Sequence, residues 1–161
     1  MESRICVVIL NWNGQKETVS CLESMQKVDY PNLEVVVVDN GSTDDSVKVI
    51  REGFTDVTVI ETGKNLGYAG GNNVGIEYAL KMGAELVLLL NNDTIVDEKL
   101  LDAFVKEARN CSRVGIFGAR PLRFFEPDKL DHLGGIWNGE KGEFDLIGLQ
   151  AKADFTYEGE L

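Results

Sequence analysis

The sequence predicts an α/β protein with a mostly parallel sheet and helices on both faces. Three observations lead there. Short runs of β-branched and apolar residues recur at Arg4–Leu10, Leu33–Val38, Val57–Glu61 and Leu86–Leu90, and segments with apolar side chains at helical spacing separate them. Within these runs the apolar residues are consecutive, as expected for strands covered on both faces. The longer runs stop abruptly in amides, glycine and carboxylates, so polar groups collect at the carboxyl ends of the strands, where open α/β sheets bind their ligands.

Taken in order, the first strand ends in Asn11-Trp12-Asn13-Gly14, and a helix from Gln15 to about Lys27 carries Val19, Leu22 and Met25 before Pro31 breaks the pattern. The second strand ends at Asp39-Asn40-Gly41-Ser42, where Ser42 with Asp45 forms a near capping box for a helix over about Thr43–Glu52. A short third strand leads into a loop rich in glycine and amides, Thr62 to Asn73, that feeds a helix bearing Ile76, Ala79 and Leu80 and closed by Gly83. The Leu86–Leu90 strand runs into Asn91-Asn92-Asp93-Thr94. A helix over about Asp97–Arg109 and a fifth strand at Val114–Gly118 follow. Alternation at this pitch implies right-handed crossovers and a doubly wound sheet. Beyond Ala119 the rhythm is lost to irregular loop and short strands, so we divide the chain into residues 1–118 and 119–161.

Composition narrows the function. With 161 residues, 43% apolar and 27% charged, the chain has enough material for a sizeable core. A net charge of −11 without any basic run argues against nucleic acid as a partner, because phosphate binding needs clustered lysine or arginine. An acidic protein that binds a diphosphate must neutralise it with a cation or with backbone amides. Cys6, Cys21 and Cys111 lack C-x-x-C spacing and read as reduced thiols. No stretch resembles a signal peptide or reaches the roughly 20 apolar residues of a membrane span, which predicts a cytoplasmic protein and leaves peripheral membrane attachment open. Self-association through exposed apolar surface is open as well.

Four segments therefore meet at one rim: Asn11-Trp12-Asn13, Asp39-Asn40-Gly41-Ser42, Asn65 to Asn73, and Asn91-Asn92-Asp93. Asp39 can accept from a base N–H or a ribose hydroxyl, and Trp12 offers a flat face for a base. Gly41 and a helix starting at Ser42 would supply free backbone N–H groups, and Asp93 is a hard oxygen ligand suited to Mg²⁺ or Mn²⁺. Each segment also has a plainer reading. Asn11 and Asn13 satisfy loop backbone, Trp12 packs, Gly67, Gly70 and Gly71 serve turning and helix packing, and Asn91-Asn92-Asp93 makes a turn. What favours a site is their coincidence at one edge of one sheet. His132, the only histidine, reads as a solvated or locally hydrogen-bonded loop residue.

These motifs, in this order and spacing, resemble family 2 glycosyltransferases. The match rests on Val7 through Asn13, Val37 through Asp44, Asn65-Leu66-Gly67 through Asn73-Val74-Gly75, and Leu90 through Asp93. The Asn-Asn-Asp form, with Asp131-His132-Leu133-Gly134-Gly135 downstream, is most similar to the bacterial rhamnosyltransferase branch. The resemblance implies the GT-A fold and inverting transfer of a sugar from a nucleotide-diphosphate donor, of dTDP-rhamnose or UDP-sugar type, to a glycan or lipid-linked acceptor in polysaccharide synthesis. It assigns the nucleoside to Asn11, Trp12 and Asp39, with Asn13, Gly41 and Ser42 alongside. Asn65, Gly67, Asn72, Asn73 and Asn92 fall to the donor pocket, and Asp93 with Asn91 to a divalent metal, Mg²⁺ or Mn²⁺. Asn91 stands where the family's Asp-x-Asp motif has its first acid, which removes one charge from the metal site. The catalytic base lies in the family in an Asp or Glu-Asp motif further downstream. Neither Asp145 nor Asp154 sits in such a motif, so no catalytic residue is assigned and the chain reads as an N-terminal piece.

Other α/β functions fit less well. A dehydrogenase would need G-x-G-x-x-G after the first strand, where Asn-Trp-Asn-Gly stands. A receiver domain would need acids at Asn11 and Asn13, and a haloacid-dehalogenase phosphatase would need Asp-x-Asp after its first strand. The live alternative is a nucleotide-sugar-binding or interaction fragment without catalysis.

Overall fold

A computed structural model describes residues 2–111 and 113–156. The chain divides into two compact units, Met1–Ser112 and Arg113–Leu161, a few residues before the boundary expected at Gly118. The first unit runs β1 (Ile5–Asn11), α1 (Gln15–Met25), β2 (Leu33–Asp39), α2 (Ser46–Gly53), β3 (Thr58–Glu61), α3 (Gly67–Lys81), β4 (Leu86–Asn91) and α4 (Leu100–Asn110). Its four strands form one parallel sheet in the order β3-β2-β1-β4. The expected α/β architecture is thus observed, and the register sets the rim: Asn11 lies opposite Asp39, and Leu10 lies opposite Asn91.

Both faces of the sheet are covered, which is why its strands are apolar at consecutive positions. Ile5, Val7, Ile9 and Val37 pack with Cys21, Leu22, Met25, Ile50, Leu101 and Val105 on the face that carries α1, α2 and α4. Cys6, Val8, Val36 and Val38 pack with Ala79 of α3 on the other.

Three expectations are corrected. Val114–Gly118 is not a strand, and Ile116 is 89% exposed. Gly115 and Gly118 interrupt a run of only three apolar residues, too little side chain to anchor a ladder. The sheet therefore has four strands, with β4 at one edge.

α2 begins at Ser46, not Thr43, and Ser42 does not cap it. Asp44 takes that work, its Oδ1 accepting from the Ser46 backbone N–H (3.1 Å) and from the Ser46 hydroxyl. Burial alone would raise the Asp44 carboxyl, but these bonds outweigh it and hold the group below the usual carboxylate range.

α3 begins at Gly67, so Gly70, Gly71, Asn72 and Asn73, expected in a loop, are helical. The glycines carry little helix propensity, and close packing explains them. A Cβ on Gly75 would lie 2.2 Å from Val8 Cγ1, and one on Gly71 would lie 2.4 Å from Leu10 Cδ1. Gly83 ends α3 with φ +73°, as expected of a helix-terminating glycine.

The second unit holds two antiparallel hairpins, β5 (Leu122–Arg123) with β6 (Glu126–Leu130), and β7 (Gly135–Asn138) with β8 (Glu143–Leu146). Leu130 and Ile147 are buried, and Trp137 and Phe144 pair edge to face. His132 Nδ1 accepts from the Gly134 N–H at 3.0 Å, the local bond expected of it. Among the described residues no helix is long and apolar enough to cross a membrane. Cys6 and Cys21 are buried free thiols, and Cys111 is an exposed one.

Candidate functional site

The carboxyl ends of β1, β2 and β4 carry a continuous hydrogen-bonded network. Its centre is Asn11, wholly buried at the last position of β1. Asn11 Nδ2 donates to Asp39 Oδ1 (2.8 Å) and Ser42 Oγ (3.1 Å), while its Oδ1 accepts from the Thr18 hydroxyl (2.8 Å) and the Gly14 N–H (3.2 Å). A buried amide must spend its polar atoms this way or lose their hydration without return. Asn11 therefore stands behind the rim as its frame.

Asp39 is 3% exposed, and each of its oxygens accepts one bond, from Asn11 and from the Ser42 N–H (2.9 Å). A carboxylate has about four lone-pair sites, so acceptor capacity remains at the strand end. The Ser42 N–H, expected to be free, is used up by Asp39, and the Thr43 N–H by Asn13 Oδ1 (2.7 Å). Asn13 has φ +53° and is held by its own N–H donating to Ser42 Oγ (2.9 Å). Between Asn11 and Asn13, Trp12 is 57% exposed, its ring open at the rim. Gly41 has φ +77°, and a Cβ there would lie 2.6 Å from the Lys64 backbone, so only glycine lets the segment after β2 approach the one after β3 this closely.

That approach is fastened by Asn40. Its Nδ2 donates to Asn65 Oδ1 (3.1 Å) and the Gly67 carbonyl (3.2 Å), and its Oδ1 accepts from the Leu66 N–H (2.9 Å). Asn65 also accepts from the Gly67 N–H at 2.8 Å. Asn72 faces inward and bonds the Tyr68 carbonyl (3.0 Å), whereas Asn73 is exposed on α3.

On the β4 side, Asn91 Oδ1 accepts from the Tyr68 hydroxyl (3.2 Å), Asn92 Nδ2 donates to Thr18 Oγ1 (3.0 Å), and Asp93 is exposed just past the strand. A polar stripe of α1 supports this segment. Thr18 holds Asn92, Cys21 Sγ donates to the Asn91 carbonyl at 3.8 Å, and Ser24 Oγ accepts from the Val96 N–H at 3.2 Å. Burial, reinforced by the charge of Asp93, pushes the Cys21 thiol up to about 11. Among the described residues no three of His, Cys, Asp and Glu gather into a metal cluster. An exposed carboxylate that follows two asparagines in sequence is nonetheless a hard oxygen donor, and Mg²⁺ is commonly held by one or two carboxylates together with substrate phosphates, not by an all-protein cage.

The sequence reading missed Thr18, Cys21 and Ser24, and it gave no role to Asn40 and Tyr68 within the rim segments it named. The signal for the first three was present as small polar residues every third position on α1, interleaved with the apolar face.

A parallel sheet with helices on both faces, a polar rim at its carboxyl ends and an aspartate just past the fourth strand define a GT-A, nucleotide-diphospho-sugar transferase fold. The sequence model of glycosyl transferase family 2 matches residues 6–156, and the chain belongs to this family. Glycosyltransferase GlyG of Streptococcus pneumoniae is 30% identical over 112 residues, covering 68% of this chain and 36% of that protein. The dTDP-rhamnosyl transferase RfbF of Shigella flexneri is 31% identical over 107 residues, 66% of this chain and 34% of that protein. Among solved structures, mannosyltransferase PcManGT from Pyrobaculum calidifontis, in complex with GDP-Man and Mn²⁺, superposes with a TM-score of 0.61 at 25% identity over 76% of this chain and 36% of that one. TarS of S. aureus, in complex with UDP-GlcNAc, shares the fold with a TM-score of 0.59 at 24% identity, over 76% of this chain and 38% of that one. The chain thus spans about a third of the length of the curated relatives it matches.

Proposed function

We propose that this rim binds the nucleotide diphosphate of an activated sugar, of dTDP-rhamnose or UDP-sugar type, and that the protein transfers the sugar with inversion to a hydroxyl of a glycan or lipid-linked acceptor. The observation that carries the reading is the network joining Asp39 to Asn92 through Asn11 and Thr18. It links a buried acceptor at one strand end to the amide that precedes the exposed Asp93 at another, the two ends that a nucleoside and its diphosphate would occupy. In this reading the remaining lone pairs of Asp39 accept from the base or ribose, Trp12 lies against the base, and Asn65, Gly67 and Asn73 border the donor. A divalent cation would be held by Asp93, with the Asn91 amide oxygen beside it, and would neutralise the diphosphate. Residues 1–118 would bind the donor, and residues 119–161 would begin the acceptor side. The protein would work in the cytoplasm, against the membrane where its acceptor is lipid-linked.

The test is calorimetric titration with UDP and with dTDP, in Mn²⁺ or Mg²⁺ and again in EDTA. Metal-dependent binding lost in Asp93→Ala is the expected result, and no binding of either nucleotide would sink the reading. Donor bound but never turned over in the presence of acceptor glycans would favour binding without transfer.

A further inference from the structure

The hydrogen bonds between the Asp39 and Asn92 sides of the rim have a direction, and it originates in a charge. An ionised carboxylate only accepts, so Asp39 must face the NH₂ group of Asn11. The Asn11 amide oxygen then faces Thr18. Having no hydrogen to give, that oxygen claims the single hydroxyl proton of Thr18 (2.8 Å). Thr18 Oγ1 is left with lone pairs alone for Asn92, which must therefore present its NH₂ (3.0 Å). The Asn92 amide oxygen is the atom not spent on Thr18. Thr18 is wholly buried, so no water competes for its hydroxyl. Asn92 Nδ2 also packs close against Gly14, where a Cβ would lie only 2.5 Å from it.

Resting on the donor-site reading above, we propose that Thr18 is a positioning residue. Its hydroxyl relays the orientation set by Asp39 through Asn11 to Asn92, turning the Asn92 amide oxygen toward the diphosphate and cation end of the site beside Asp93. The two halves of the rim are thereby coupled. A fault at Thr18 would show at the Asn92–Asp93 end, although Thr18 itself touches no ligand.

Thr18→Val removes the hydroxyl at nearly constant volume, and Thr18→Ser keeps it. In Mn²⁺, Thr18→Val should bind UDP or dTDP about tenfold more weakly than the wild type, the worth of roughly one hydrogen bond. In EDTA its affinity should change less than about twofold, and Thr18→Ser should match the wild type in both. Equal losses in Mn²⁺ and EDTA would mark a structural role only and overturn the proposal, as would no loss in either. Should Thr18→Val fail to fold, Asn92→Ala decides, because it leaves the Thr18–Asn11 bond in place. Loss of the metal-dependent part of binding supports the relay, and wild-type metal dependence refutes it. The orientation can also be read without nucleotide, from the side-chain amide resonances of Asn92 in ¹H–¹⁵N spectra. Slow exchange of that NH₂, kept in Thr18→Ser and lost in Thr18→Val, is expected, and an unchanged signal in Thr18→Val would refute the relay. If the wild type binds neither nucleotide while this signature holds, the donor reading fails and the Thr18 relay stands as an orienting device.

Discussion

Two aspartates stand at the carboxyl ends of the strands that flank β1, one in its strand and one just past it, and they are built in opposite ways. Asp39, the last residue of β2, is buried with a donor on each oxygen. Asp93, two residues past β4, is exposed. A buried carboxylate keeps its charge only where hydrogen bonds replace hydration, so the neighbourhood of Asp39 has to be assembled with the fold. An exposed carboxylate keeps its water and can exchange it for a ligand. One half of the rim is hydrogen-bonded framework, the other ends in an exposed carboxylate, and Asn11 and Thr18 tie Asp39 to Asn92 beside it.

The contrast can be broken most severely at Asn11. Asn11→Ala removes four hydrogen bonds and leaves the buried Asp39 carboxylate with the Ser42 N–H as its remaining donor, and should cost about 3 kcal/mol of folding free energy, read as a lowered denaturant midpoint with the slope unchanged. Ser42→Ala removes one acceptor shared by Asn11 and the Asn13 N–H and should cost about 1 kcal/mol in the same assay. Asp93→Ala should leave stability within about 0.5 kcal/mol while abolishing metal-dependent nucleotide binding. If it destabilised the fold as Asn11→Ala does, Asp93 would belong to the framework and the contrast would be false.

The smallest effect sharpens the comparison by reading the charge of Asp93 from Cys21. Because that charge helps raise the thiol, Asp93→Asn should shift the pH profile of Cys21 alkylation downward from about 11. The sign for stability follows. The folded state favours the protonated thiol, so this contribution is complete below the ordinary value of 9.0 and is lost as the pH rises through about 11. A Cys21 profile indifferent to Asp93→Asn would show that burial alone sets it.

Much of this was legible in the chain. Consecutive apolar runs foretold strands covered on both faces, and the abrupt polar ends of β1, β2 and β4 foretold where the rim would lie. The misread places share a cause. Ser42 has the sequence signature of a helix cap because Asp45 follows at the right spacing, yet the Ser42 hydroxyl serves Asn11 and Asn13 across the loop. Gly67, Gly70 and Gly71 read as loop in the sequence, which does not show that Leu10 presses against the helix at Gly71. Val114–Gly118 carried strand-like residues without a partner to pair with.

Local patterns settled by themselves that β1 to β4 would be strands with helices between them and where their polar ends would fall, because periodicity and abrupt changes of polarity act within a few residues. The tertiary structure alone decided which of those ends would be frame and which open. Asn11, Asn13 and Asn91 are one residue type, and only the partners that the fold brings from 28, 30 or 23 positions away separate a buried hub from a surface amide.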